Sequence, residues 1–182
     1  AFFVAVEHLG EMELAATNVI RSVSTVFFVI VNSLAATTGS LVSNLLGAGQ
    51  KRQVIPLCNC VVRLGYAIGF PLVILAVIFY RPIIGIYTES TALMQIAHLP
   101  FVVMLLNYIF ALPGYVYMNS VTGTGATRMT FIFQLITIVA YQIYLWSISS
   151  FSTSLSVYWT AEYLYVILLG LLSVIYLKYK HY

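Results

Sequence analysis

Aspartate is absent from this 182-residue chain, and charge of either sign is scarce: five acidic and eight basic side chains make up only 7% of the residues. An ordinary soluble domain carries roughly 25% charged residues, so a water-exposed globular fold is excluded. Without aspartate there is no paired-aspartate site, and neither HExxH nor GxSxG occurs. No nucleophile and base can be nominated for an intramembrane hydrolase, and no catalytic residue is assigned. The two cysteines, Cys58 and Cys60, stand as C-x-C in PLCNCVVR with no histidine or further cysteine nearby. The three histidines, His8, His98 and His181, are scattered near span ends, so a metal site lacks ligands.

What the chain does have is hydrophobic length. Its mean hydropathy is +0.99, and five apolar segments reach the roughly 20 residues needed to cross a bilayer: about Leu14 to Leu46, Val54 to Tyr80, Ala92 to Val121, Met129 to Ile148 and Leu155 to Leu177. The expected fold class is an all-α integral membrane bundle. The separators EHLGEME, GAGQKRQ, RPIIGIYTES, TGTGATR and SSFSTS read as short turns between antiparallel neighbours. The first span, at about 33 residues, is longer than the hydrocarbon demands and should tilt or project. Ahead of it, Ala1 to Val6 (AFFVAV) is too short to span and lacks a signal-peptide pattern. It reads as the tail of a preceding helix, so residues 1–182 are expected to be the carboxy-terminal part of a longer protein. The aromatics suit interfacial belts and helix packing, not nucleic-acid binding.

Orientation follows from alternate loops. Lys51, Arg52, Arg63, Arg128, Lys178 and Lys180 mark one side, while the other has Glu7, Glu11, Glu13, Glu89 and the lone basic Arg81. By the positive-inside rule the basic side, with the C-terminus, is cytoplasmic. Pro71 and Pro113 lie within spans and favour kinks, whereas Pro56 and Pro82 sit near ends. Gly65, Gly69, Gly114 and Gly170 favour close helix approach. Two exits echo each other, GAGQKR after the first span and GTGATR after the third. Neither follows a strand or carries GK[ST], so neither is a nucleotide-binding loop.

The first span carries a polar stripe. At 100° per residue, Asn18, Ser22, Thr25, Asn32, Ala36, Ser40, Ser43 and Gly47 fall in one sector, with Arg21 at its edge and Val29 interrupting it. Polar groups facing hydrocarbon would be unsatisfied, so the stripe is expected to point inward, to other helices or a water-filled path. Two charges lie within spans: Arg21 and Glu162 are each about seven residues from the same face, roughly 10 Å deep. They are expected to pair or to face one polar chamber, against the alternatives of snorkelling or of simply locking two helices. Glu162 is the candidate for proton or cation coupling, with Tyr158 and Tyr165 on its face. In the third span, Phe101, Met104, Tyr108, Tyr115 and Asn119 repeat near helical spacing. They read either as a surface for organic cations or as interhelical packing. Asn107, Gln134 and Gln142 read as interhelical hydrogen-bonding amides.

In this order and spacing, LGEMELAATNVIRSVSTVFF, TTGSLVSNLLGAGQKRQV and SVTGTGATR resemble the carboxy-terminal half of a MATE (multidrug and toxic compound extrusion) transporter. The first two look like the family's eighth helix and the third like the end of its tenth. The resemblance implies one lobe of a twelve-helix exporter, with an amino-terminal lobe as its partner and a cavity between them. It implies antiport of small, often cationic, xenobiotic compounds against sodium ions or protons, with no other cofactor, in the plasma membrane (the bacterial inner membrane). Asn18, Arg21, Ser22, Thr25, Asn32, Tyr108, Tyr115 and Asn119 are the candidate cavity-lining residues. Many relatives carry an acidic residue in the tenth helix; NYIFALPGYVYMNS has none, which leaves coupling to Glu162 or to the other lobe. A lipid-linked saccharide flippase of the same superfamily and a non-transporting assembly subunit are the alternatives.

Overall fold

The computed structural model describes residues 10–151 and 154–182; the AFFVAV run, Glu7, His8 and part of the SSFSTS turn lie outside them. Regular structure among the described residues is entirely helical: α1 (Glu11–Gly47), a 3-10 turn (Lys51–Gln53), α2 (Val54–Ile78), α3 (Tyr80–Gly85), α4 (Thr91–Gly123), α5 (Thr127–Phe151) and α6 (Leu155–Tyr179). The five long helices are each apolar and long enough to cross a membrane, and the fold is an all-α polytopic bundle.

Two separators fold differently from plain turns. Glu11 and Glu13 form the first turn of α1, where carboxylates are favoured by the helix dipole. α1 thereby reaches 37 residues, about 55 Å at 1.5 Å per residue. The second span ends at Ile78, short of the expected Tyr80: Phe79 turns the chain (φ −91°, ψ 25°) and Tyr80 begins the short α3. Tyr80 is buried and its hydroxyl donates to the Met94 carbonyl of α4, which pins α3 to the start of α4.

α4 is the centre of the bundle, packed against α1, α2 and α6 and less extensively α5. It stays one helix through Pro100 and Pro113. Glycines set how closely its neighbours approach. A Cβ on Gly114 would stand 2.6 Å from the Val166 carbonyl oxygen of α6, and one on Gly123 would meet the Gly39 carbonyl of α1. On α2, Gly65 and Gly69 make room for Leu112 and Tyr108 of α4. The contacts pair rising numbers with rising numbers for α1–α4 (Phe27 with Tyr108, Gly39 with Asn119) and for α4–α6 (Val103 with Tyr163, Gly114 with Val166). α1, α4 and α6 therefore run parallel, with α4 between the other two.

The echoed exits share one geometry. Gly47 and Gly123 are the last residues of α1 and α4, and Gly49 and Gly125 adopt left-handed φ of 75° and 84°. Only a residue without a Cβ takes that conformation at little cost, which explains why both sequences repeat glycine at the third position.

Candidate functional site

The polar stripe of α1 lies on the outside of this bundle. Asn18, Ser22, Thr25, Asn32, Ala36, Ser40, Ser43 and Gly47 are all exposed, whereas Ala16, Ile20, Val23, Val31, Ala35 and Val42 carry the buried face. Of the two expected settings, other helices or a water-filled path, the described helices supply the first only at Ser43: the apolar side of α1 holds α4, and the polar side is otherwise left uncovered. Its hydroxyls bond along their own helix. Ser22 donates to the Asn18 carbonyl (3.0 Å), Thr25 to Arg21 (2.9 Å), Ser33 to Val29 (2.8 Å) and Thr37 to Ser33 (2.8 Å). Ser43 reaches further, to the Gly123 carbonyl at 2.8 Å. The Asn18 and Asn32 carboxamides stand exposed, and each has more hydrogen-bonding sites than its own helix backbone can fill.

At the edge of that face, Arg21 and Glu162 meet. Arg21 Nη2 donates to Glu162 Oε1 at 3.2 Å, and the Tyr141 hydroxyl donates to the same oxygen at 3.2 Å. The guanidinium also lies 5.3 Å from the centroid of the Trp159 ring, within cation–π range. Three helices thus converge on one carboxylate. Around it, Tyr165 meets Tyr141 edge-on (centroids 6.1 Å apart), and Tyr115, within electrostatic reach of Tyr165 and Glu162, meets Phe28 of α1 edge-on (6.3 Å). The result is a half-exposed charge pair walled by aromatic rings, spanning α1 and α6, which otherwise approach each other little.

A family model, MatE, matches residues 1–148. The chain belongs to the MatE family. MatE proteins are membrane transporters, and a multi-pass membrane protein is what the five spans build. No curated protein and no solved structure matches the chain. The MatE match takes in α1, α2, α4 and most of α5 and stops before α6, the helix that carries Glu162.

Within this MatE bundle the remaining sequence candidates separate. Tyr108 is buried, donates to the Gly65 carbonyl at 2.9 Å and packs edge-on with Phe27, so it serves the α1–α2–α4 contact. Phe101 and Met104 are buried with it. Tyr115 is partly exposed beside Glu162, and Asn119 is partly exposed with its amide donating to the Tyr115 carbonyl at 3.0 Å. Gln134 donates to Met118 Sδ at 3.3 Å, an interhelical bond of the expected kind. Asn107 is buried. Sequence reasoning missed Tyr141, Trp159 and Phe28. Tyr141 carried a usable signal, since it lies in the outer half of a span that must run antiparallel to the one bearing Glu162. Among the described residues no three of His, Cys, Asp and Glu gather.

Proposed function

We propose that the chain forms the carboxy-terminal lobe of a secondary active exporter, which moves small organic cations in exchange for sodium ions or protons by alternating access. The observation that carries this reading is the uncovered polar face of α1. A membrane helix with exposed carboxamides along it needs water or protein opposite, because hydrocarbon offers no hydrogen bonds. A water-filled path shared with a second, amino-terminal lobe supplies both. Asn18, Ser22, Thr25 and Asn32 then line the path, with Tyr115 and Asn119 at its border, and Glu162 is the coupling carboxylate of this half.

The pairing of Glu162 with Arg21 gives coupling a physical form. A sodium ion or proton arriving at Glu162 displaces the guanidinium, so the carboxylate is charge-compensated whether the ion is bound or released, and the freed Arg21 carries the extra positive charge toward water. The flippase alternative, whose cargo bears pyrophosphate, asks for a basic path. α1 has one basic residue, Arg21, and it is held by Glu162. The cytoplasmic assignment of the C-terminus is supported by the gathering of Gly49–Gln53 and His181 around one depression, which brings Lys51 and Arg52 to the end where α6 finishes; the bacterial inner membrane is the setting this reading proposes.

The test uses the complete gene product in efflux-deficient cells. Ethidium efflux should be present and collapse with a sodium or proton ionophore, and Glu162→Gln should abolish the ionophore sensitivity. With Cys60→Ser as background, cysteines at Asn18, Asn32 and Ser40 should react with a water-soluble maleimide and be protected by ethidium. Efflux that ignores the ion gradients, or cysteines inert to the maleimide, contradicts the proposal.

A further inference from the structure

A second cavity, of about 650 Å³, opens where α2 breaks into α3 and meets the start of α4, lined by Val77, Ile78, Tyr80, Arg81, Met94, Gln95 and His98, with Thr91. It lies on the opposite end of the bundle from the Lys51–Arg52 turn, since α2 begins at that turn and ends here. Its lining is divided. Val77 and Ile78 are exposed apolar side chains of a membrane span, while Arg81, Gln95, His98 and Thr91 are exposed polar ones. Among the described residues no carboxylate lines it, so none of them cancels the charge of Arg81 within the cavity.

Two of its polar side chains, Tyr80 and His98, are held in place. Tyr80 is clamped by its bond to the Met94 carbonyl. Its ring meets His98 edge-on with centroids 4.8 Å apart and Phe101 at 5.0 Å, fixing the imidazole toward the cavity's α4 side. Burial pushes the Tyr80 phenol up from its ordinary value, which keeps it a neutral donor. A site with one permanent cation, an imidazole, an amide and a hydroxyl on one side and aliphatic span residues on the other is amphipathic at the depth where a bilayer is amphipathic.

We propose that this cavity binds the phosphodiester headgroup of an anionic membrane phospholipid, with Arg81 and His98 on the phosphate and the first acyl segment against Val77 and Ile78. Charge complementarity selects an anion, and the continuous apolar wall selects a lipid over a free phosphate. The site is separate from the Arg21–Glu162 pair and independent of the exporter reading.

The experiment is photo-crosslinking in membranes that contain the complete protein, using phosphatidylglycerol with a diazirine close to its headgroup, followed by peptide mapping. Label should concentrate on residues 77–81 and 91–98, fall about fivefold in Arg81→Gln, as loss of one interfacial cation contact of about 1 kcal/mol implies, and largely return in Arg81→Lys. Excess inorganic phosphate should leave it unchanged, and a phosphatidylcholine probe should label these segments less. Label spread evenly over the helix surfaces, or equal labelling of wild type and Arg81→Gln, would overturn the proposal. Loss of label to free phosphate would also overturn it, by assigning the cavity to a soluble anion. Because Arg81 is exposed, an unchanged unfolding midpoint in Arg81→Gln separates lost binding from lost fold.

Discussion

Breaking the Arg21–Glu162 pair from either side should have unequal costs. At 3.2 Å two unit charges attract by about 5 kcal/mol at an effective dielectric of about 20. The Arg21 side chain is 36% exposed and that of Glu162 21%, so water screens the pair toward the ~1 kcal/mol of surface bridges. Interhelical hydrogen bonds in membranes reach at most about 1.7 kcal/mol. A coupling energy of about 1–1.5 kcal/mol is therefore expected. Glu162→Gln leaves Arg21 over the Trp159 ring and close enough to the boundary to snorkel, which limits the loss to about 1 kcal/mol. Arg21→Gln instead leaves an intramembrane carboxylate supported by Tyr141, and should cost about 2 kcal/mol. The assay is reversible unfolding in mixed micelles of wild type, both single variants and the Arg21→Gln/Glu162→Gln double variant. The double variant should be more stable than the sum of the singles predicts. Additivity within about 0.3 kcal/mol, or a greater cost for Glu162→Gln than for Arg21→Gln, would refute the reasoning.

Gly114→Ala should destabilise by about 1–3 kcal/mol in the same assay, because its Cβ would stand 2.6 Å from a backbone oxygen that no rotamer change can move. Tyr108→Phe should cost about 1 kcal/mol through the lost bond to Gly65 while leaving ethidium efflux per folded molecule unchanged; a large efflux defect would return Tyr108 to the transport path. Asn32→Leu on the exposed face of α1 should change stability by less than about 0.5 kcal/mol yet lower efflux several-fold, and full activity would show that the face does not line the path.

The spans were legible because their lengths and compositions answer to one constraint, the thickness of hydrocarbon. The α3 turn was not. RPIIGIYTES opens with Arg-Pro and ends in polar residues, so it reads as loop, and a six-residue helix held by two buried side chains, Tyr80 and Ile84, leaves no periodic trace. The common depth of Arg21 and Glu162 could be counted because their helices start from the same face. The depths of Tyr141 and Trp159 could be counted in the same way, but that Tyr141 reaches Glu162 and the Trp159 ring reaches Arg21 could not, since interhelical register depends on which glycines let which helices close. The α1 stripe shows the same limit. Periodicity places its residues on one side of the helix, but whether that side meets α4 or is left uncovered depends on the opposite face being the better apolar match.

The contacts of α1 with α4 differ along its length, and that difference bears on the proposed role of the charge pair. Toward the Gly47 end, backbone meets backbone: Gly39 lies against Asn119 and Gly123, and Ser43 bonds across to Gly123. Near its middle, α1 meets α4 through bulky rings, Phe27 on Tyr108 and Phe28 on Tyr115, at centroid distances above 6 Å. Close backbone packing resists displacement more than ring-edge contact does, because its many short-range contacts are lost within a fraction of an ångström. The salt bridge to Glu162 ties α1 across to α6 on the Glu11 side of those rings. If, as proposed, an arriving cation releases Arg21, α1 loses that tie to α6 while the Gly39–Gly123 contact holds its Gly47 end in place. On that reading, charge exchange at Glu162 would free the helix whose polar face is proposed to line the path to shift against α6.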